Sequence, residues 1–568
     1  MEATGDCYFP DTRVSGRIRT SLILIVPFLY LAATLLYSAW QLVWGVQVDP
    51  ESAYTMNGLV AAAGYGSLKF DHPGTTTTLL VEVIIRGWAL VARPDDITAF
   101  GLKHYDAITY AARTCEALVL AGALLAGGLI VGRTTRSAIA AMLFQAGAFV
   151  HPDAFHFQTV LAPESLMVAI ALFGMAIVVK AALDEQPPAT SLGVVSGLIF
   201  ALGFSTKYLY LPQALFAVCL LRNRRAFVAS LITGAIGFVG FSLIFNPGTI
   251  TRGFGWLVQI ATHKGHYGEG ETGFIDFATF WSNMREIIAA VPLASGTTIA
   301  AAAAALAWCI KTRDWRDPVT LTLSAAVLIF AAYLVATSKH FALHYMMASW
   351  ALTGGVLVLV VVQIRRLVPA IPAAAVSLLA GSLCAVTAAA TLIDARAVAL
   401  QTSRANAIGA RLSNAVIAAG PACANVSGMF VGAPENDMNH GWDMTLQLWG
   451  DQAMRERFSV AYGRAFAVAL LDHNTYTHVL KNNFRATSYA RLAADYPCII
   501  VRSPWELNED TAIGLLALNP DHCVIEGVHV YTVGLACAKV QGSFLGASGE
   551  GNSQGLALPS GIEPLSPP

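Results

Sequence analysis

Runs of about twenty consecutive apolar residues recur along this 568-residue chain, and no other feature limits its fold so strongly. A helix of that length crosses a hydrocarbon layer roughly 30 Å thick. Such runs fall near 21–45, 107–131, 137–151, 164–183, 190–204, 208–221, 226–245, 287–310, 318–337, 345–363 and 368–393, eleven in all. The third, fifth and sixth are short and call for tilt or local bilayer thinning. Hydrophobic residues make up 55% of the chain and charged ones 12%, about half the charge density of a soluble domain. Such a chain cannot cover its surface with polar groups, so the reading is mainly α: a polytopic helical membrane protein. A net charge of −1 argues against nucleic acid as a partner.

Orientation follows from the positions of Lys and Arg in short connections. Arg13, Arg17 and Arg19 precede the first run. Further clusters are Arg133/Arg136, Arg222/Arg224/Arg225, Lys311/Arg313/Arg316 and Arg365/Arg366. All fall in the N-terminal arm or in even-numbered connections, which predicts one common, cytoplasmic side. Residues 1–20 are then a cytoplasmic arm and 21–394 the membrane domain, in an inner (cell) membrane. A long first loop (46–106) and a middle loop (246–286) lie outside.

An odd span count also puts the C-terminal tail outside. From residue 395 onward the chain carries 11 Lys/Arg and 14 Asp/Glu, where the run at 368–393 carries none. Periodicity predicts helices near 401–419, 445–470 and 485–494, and strands at 498–501 and 528–533. We read 395–540 as a small extracytoplasmic α+β domain, and the Gly/Ser/Pro-rich 541–568 as disordered. Four of the nine cysteines, Cys423, Cys498, Cys523 and Cys537, lie in this tail. An even number in an oxidising compartment predicts one or two disulfides, with three connectivities open.

Polar residues cluster at the external span ends. Asp49-Pro50-Glu51-Ser52-Ala53-Tyr54 follows the first run. Carboxylates there can deprotonate a hydroxyl or hold a cation; equally, Asp49 can cap a helix that Pro50 and Glu51 begin. Arg113 and Glu116, three residues apart, suit a buried ion pair. Glu164 follows Pro163 as a helix start would require, and Lys207 ends a run where lysines commonly snorkel. Ser338-Lys339-His340-Phe341-Ala342-Leu343-His344-Tyr345 places cations on the side where few are expected, which points to an anion site. In the middle loop, His263, His266, Glu269 and Glu271 surround Gly265, Gly268 and Gly270. That loop reads as a substrate contact, a solvated turn, or the seat of a divalent cation; no cofactor is otherwise indicated and no metal ligand set is assigned.

These stretches, in this order, resemble the glycosyltransferase C superfamily, multi-span enzymes that take a sugar from a polyprenyl-phosphate carrier. The nearest branches are the protein O-mannosyltransferases and the aminoarabinose transferases. Asp49-Pro50-Glu51 stands where those families carry an acidic motif, followed by an amphipathic interfacial helix and a turn like His72-Pro73-Gly74. Pro50 splits the acidic pair, a departure from the pattern. Arg113-Thr114-Cys115-Glu116-Ala117-Leu118 is similar to an Arg-x-x-x-Ala-Leu entry, and Gly203 to Lys207 to a Gly-x-x-x-x-Lys segment whose Lys faces the carrier phosphate. Lys339 to His344-Tyr345 is similar to a late donor-phosphate motif, and Pro163-Glu164 sits where a second acidic cluster belongs.

The resemblance implies inverting transfer to an extracytoplasmic hydroxyl of a glycan, lipid or protein. Asp49 would be the general base, with Glu51 beside it as catalytic residues. His72, Arg113, Glu164, Lys207, His263, His266, Tyr267, Lys339, His344 and Tyr345 would bind substrate. The runner-up is a multi-span transporter or a flippase for lipid-linked glycans, which calls for internal repeats and broken helices at midplane. A polymerase or ligase of polyprenyl-linked glycans is a third option.

Overall fold

Capping residues set where the helices begin in the computed structural model, which describes residues 16–41, 51–70, 73–264, 270–428, 438, 440–447, 449–462, 467–471, 478–482, 485–486, 488–503, 506–507 and 514–547. The chain runs through α1 (Gly16–Ala39), α2 (Glu51–Val60), α3 (Thr75–Ala92), α4 (Ile97–Lys103), α5 (Tyr105–Thr135) and α6 (Ala138–Gln145). Next come α7 (Pro152–Phe157), α8 (Pro163–Leu183), α9 (Thr190–Thr206), a 3-10 helix (Tyr208–Leu220), α10 (Arg224–Phe245) and α11 (Phe254–Thr262). They are followed by α12 (Phe277–Ala290), α13 (Pro292–Thr312), α14 (Pro318–Lys339), α15 (Met347–Trp350), α16 (Thr353–Leu367) and α17 (Ala373–Ala419). Proline occupies the first turn of α7, α8, α13 and α14, where its missing N–H costs nothing. Asp317 caps α14 by accepting from the Thr320 N–H at 2.9 Å.

The chain forms two compact units. One holds the chain up to Val43, Val48–Ser403 and His440–Gly463; the other holds mainly Arg404–Asn439 and the chain from Arg464. Among the described residues, α1, α3, α5, α8, α10, α13, α14 and α17 are long and apolar enough to cross a membrane. The segments Leu343–Trp350 and Thr353–Leu367, bent by 44°, would make one more broken span. The runs read at 137–151, 190–204 and 208–221 are shorter helices, so a total of eleven requires all three of them.

The helix α3 falls in the stretch read as loop 46–106, although its length and hydropathy suit a span. Its two ends argue for the loop. At the start, the Thr76 hydroxyl meets that of Thr206, at the end of α9, at 2.8 Å. Near its other end, Trp88 packs on Phe100 and on His104, just before α5. Both ends of α3 thus touch the same end of the bundle, so it lies across that end. Val83, Leu90 and Val91 point outward from it, exposed by 58%, 78% and 84%. The expected amphipathic interfacial helix after the acidic motif is corrected by this arrangement: every residue of α2 is buried. Its polar groups are satisfied inside, with Thr55 bonded to Thr109 at 2.8 Å and Asn57 donating to Ser67 and Thr78. Part of α2's cover comes from far downstream. Thr445 donates to the Ala53 carbonyl at 3.3 Å, and a Cβ on Gly441 would strike the Ser52 carbonyl oxygen at 2.5 Å.

Small residues bring α9 and α10 together. A Cβ on Gly197 would lie 2.1 Å from Thr233 Oγ1 and 2.4 Å from the Ser230 carbonyl oxygen. Between membrane helices such close approach supplies the van der Waals contact that association depends on.

The second unit is built on a seven-stranded sheet ordered β4-β3-β2-β1-β5-β7-β6. The strands are β1 (Ala424–Gly428), β2 (Ala467–Leu471), β3 (His478–Asn482), β4 (Arg485–Ala486), β5 (Ile499–Ser503), β6 (Asp521–Ile525) and β7 (Val528–Val533). Only β1 pairs in parallel, with β2 and β5. Successive residues of β5 serve opposite faces. Ile499 and Val501 pack with Leu492 and Tyr531, whereas Ile500 packs with Leu412, Val530 and Phe544. The helix read at 445–470 is corrected: α18 (Gln452–Tyr462) belongs to the first unit, and Ala467–Leu471 is strand β2. Helices α19 (Tyr489–Asp495) and α20 (Cys537–Ala547) complete the chain. Cys423 pairs with Cys498 and Cys523 with Cys537.

Candidate active site

Polar side chains from several helices and their connections converge at one end of the helical unit. Glu51, the first residue of α2, is 1% exposed and forms a bidentate ion pair with Arg113 of α5. Arg113 also donates to the Gln41 carbonyl at 2.8 Å, at the end of α1. The Leu161 N–H donates to Glu51 Oε1 at 2.8 Å. One residue further, the Ala162 N–H donates to Glu116 Oε2 at 3.3 Å, while the Thr77 hydroxyl donates to Glu116 Oε1 at 3.2 Å. The anticipated Arg113/Glu116 couple therefore does not form; each group takes a partner from another element.

The segment held by these two carboxylates leads directly into α8. Its first-turn residue Glu164 is buried and ion-paired with Lys207, which ends α9. His344 Nε2 stands 3.9 Å from the same Glu164 oxygen. The other oxygen, Oε2, is buried without a hydrogen-bond partner among the described residues. A buried acceptor left open is costly unless something donates to it. The Lys207 ammonium lies 4.7 Å from the centre of the Tyr345 ring, and His344 packs against Phe157 with ring centres 4.4 Å apart.

Beside this cluster a cavity of 600 Å³ opens, walled by side chains such as Leu211, Trp256, Leu257 and Val335. Its walls are almost wholly apolar, while Lys207, Lys339 and Tyr345 line the same space. Lys339 donates to the Ile260 carbonyl and sits 4.6 Å from the Phe274 ring centre. A hydrophobic space ending in two ammonium groups and a phenol suits a ligand with a long apolar tail and an anionic head.

Two histidines at α7 adjoin the site. His151 Nδ1 accepts from the Asp153 N–H at 3.1 Å and so caps α7. Burial holds the His151 and His156 imidazoles below the usual value, and Asp153 offsets this in part.

Of the residues singled out in the sequence, Glu51, Arg113, Glu164, Lys207, His344 and Tyr345 gather in this cluster, and Lys339 lines its cavity. Asp49, His72, His266 and Tyr267 lie outside the described residues. His263 stands on a short hairpin where it bridges to Thr272, and its ring meets the Gln259 carbonyl oxygen at 3.1 Å. Lys264 there pairs with Glu271 at 3.2 Å. Among the described residues no three His, Cys, Asp or Glu side chains converge as a metal site would require. Glu116, left out of the sequence-derived site, belongs to the same constellation; an acidic residue inside an apolar run was the signal for it.

No protein-family model matches the chain, and no curated protein sequence does. Among solved structures it aligns with ArnT from Cupriavidus metallidurans bound to undecaprenyl phosphate, at 12% identity and a TM-score of 0.42, over 81% of this chain and 99% of that one. The apo form of ArnT aligns at 13% identity and a TM-score of 0.44, over 89% and 97%.

Proposed function

We propose that the protein is an integral-membrane glycosyltransferase that moves a sugar from a polyprenyl-phosphate carrier to a hydroxyl outside the cytoplasm. The observation that carries this reading is the apolar 600 Å³ cavity lined at its polar part by Lys207, Lys339 and Tyr345. A polyprenyl chain matches the walls, and its phosphate matches the ammonium groups. Lys207 has three N–H donors; pairing with Glu164 leaves two for phosphate oxygens.

In the reaction, the acceptor oxygen attacks the anomeric carbon from the face opposite the phosphate. The new C–O bond forms as the bond to the phosphate oxygen breaks, and the configuration inverts. Asp49 takes the acceptor's proton, and the polyprenyl phosphate leaves with its charge stabilised by Lys207, Lys339 and His344. Glu51 has both oxygens engaged by Arg113 and the Leu161 N–H, so we assign it to holding that segment and leave the proton to Asp49. The orphaned Glu164 Oε2 is suited to accept from a sugar hydroxyl. His72, His263, His266 and Tyr267 belong to the acceptor side of this reading.

The test is transfer of labelled sugar from polyprenyl-phosphate donors by the purified full-length protein. Wild type should transfer, Asp49→Asn should lose at least 100-fold in kcat, and Lys207→Ala should raise KM for the donor about 10- to 100-fold, the worth of one charge-assisted contact. Unchanged kcat in Asp49→Asn would remove that residue from the chemistry. Solute uptake without any transfer would favour a transporter.

A further inference from the structure

A second cavity, of 720 Å³, lies between α1, α6 and α17, away from the residues of the candidate site. Ile25 and Leu29 wall it on one side, Met142 and Phe149 on another, and small residues of α17, including Gly381 and Ala385, form its floor. A stripe of small residues alone would mean little. Ser377, however, lines the same space, is 2% exposed, and has a hydroxyl with no partner among the described residues. A buried, unpaired hydroxyl in a groove whose other polar lining residue is the exposed Ser382 calls for a ligand with a hydrogen-bond acceptor at that depth.

The groove also has a direction. Near Leu392 it is closed by hydrogen bonds from Tyr37 to the Leu392 carbonyl and from Thr391 to the Phe149 carbonyl, both 3.0 Å. At the other end α6 begins just after Arg133 and Arg136, both exposed. There α17 begins at Ala373, past Arg365 and Arg366; Arg366 is ion-paired with Asp317 at 3.2 Å and Arg365 donates to the Pro369 carbonyl at 3.0 Å. Ser377 stands one turn into α17, close to this basic end. A tail lying along the groove with its head beside the arginines would have this hydroxyl a short way inside.

We propose that this groove holds one anionic diacyl phospholipid, its phosphate beside the exposed Arg133 and Arg136, an ester carbonyl accepting from Ser377, and an acyl chain along α17. The ester is what separates this occupant from a polyprenyl phosphate, which has the anionic head but no carbonyl.

Gly381 supplies the experiment: it lines the groove, and a Cβ there meets no atom within 4 Å, so the side chain of Gly381→Phe starts into open space. Full-length protein would be studied by native mass spectrometry after equilibration with phosphatidylglycerol, phosphatidylcholine or undecaprenyl phosphate. We expect one retained phosphatidylglycerol, at least tenfold preferred over either alternative, lost in Gly381→Phe and weakened several-fold in Ser377→Ala. Thermal melting of both variants should match wild type, which separates loss of a ligand from loss of the fold. Equal retention of all lipids, retention undiminished in Gly381→Phe, or preference for undecaprenyl phosphate would overturn the proposal. So would a dimer of wild type that Gly381→Phe dissociates, since the groove would then seat a second copy.

Discussion

The oxygens of Glu116 are occupied by a backbone N–H and a hydroxyl, with no cation bonded among the described residues, which makes its charge dispensable in a way that its shape is not. Glutamine keeps a carbonyl oxygen for the Ala162 N–H and can donate to Thr77 in place of accepting. Glu116→Gln should therefore retain most of the proposed transferase activity, while Glu116→Ala should raise donor KM more than it lowers kcat, because the loosened segment carries Glu164 and hence Lys207. Loss of activity in the glutamine variant, measured on the same labelled donors, would instead make Glu116 a proton acceptor. Glu51 differs, since removing it strands Arg113 in the interior at about 3–5 kcal/mol. None of these pairings was legible in the sequence. Glu51 and Arg113 are 62 residues apart and Glu164 and Lys207 are 43, whereas local spacing suggested Arg113 with Glu116. The residue types and their common end of the bundle were legible; the partners depend on how α2, α5, α8 and α9 pack.

Elements tell the same story through their contacts. At Gly197 of α9 a larger side chain must meet backbone atoms of α10, which cannot swing aside. Gly197→Leu should lower stability by about 1–3 kcal/mol or more, as overpacking does, and Gly240→Leu, on a face with nothing within 4 Å, should not; thermal melting in detergent distinguishes them. For α7, the His151 cap requires an unprotonated Nδ1, and burial favours neutral His151 and His156. Their folded values lie below the ordinary 6.5, so the unfolded chain takes up protons first. Their contribution is complete above about pH 6.5 and is lost as pH falls through the folded values. Melting followed from pH 7.5 to 5 should show a steeper fall for wild type than for His151→Asn, which keeps a capping oxygen without titrating. Hydropathy located most long helices well, yet it ended the last one too soon. Asp394 and Arg396 break the apolar run but no proline comes before Pro421, so α17 continues to Ala419. The five apolar residues of β2 were read as helix because a short run fits either period.

At the scale of the whole molecule, the described cysteines divide by environment. All four disulfide-bonded residues lie in the second unit, while Cys115, Cys219, Cys309 and Cys384 of the helical unit are free. Cys423–Cys498 closes 75 residues and joins the starts of β1 and β5, a loop whose cross-link is worth roughly 4 kcal/mol in the chain-entropy account. Mild reduction should therefore lower the melting of the second unit alone, followed by protease sensitivity of the tail, and leave the helical unit intact. Uniform loss of both would contradict that division. The second unit was visible beforehand as a change in charge density, but the return of residues 440–463 to the helical unit was not, since composition carries no record of where a segment docks.

That return has a bearing on how the protein is made. Thr445 closes over Ala53 across 392 residues of sequence. At about 5–20 residues per second, a ribosome needs roughly 20–80 s between the two. Throughout that interval the peptide bearing Glu51 and its neighbours waits without this cover, so the nascent chain holds its first buried carboxylate before the segment that closes over α2 has been made.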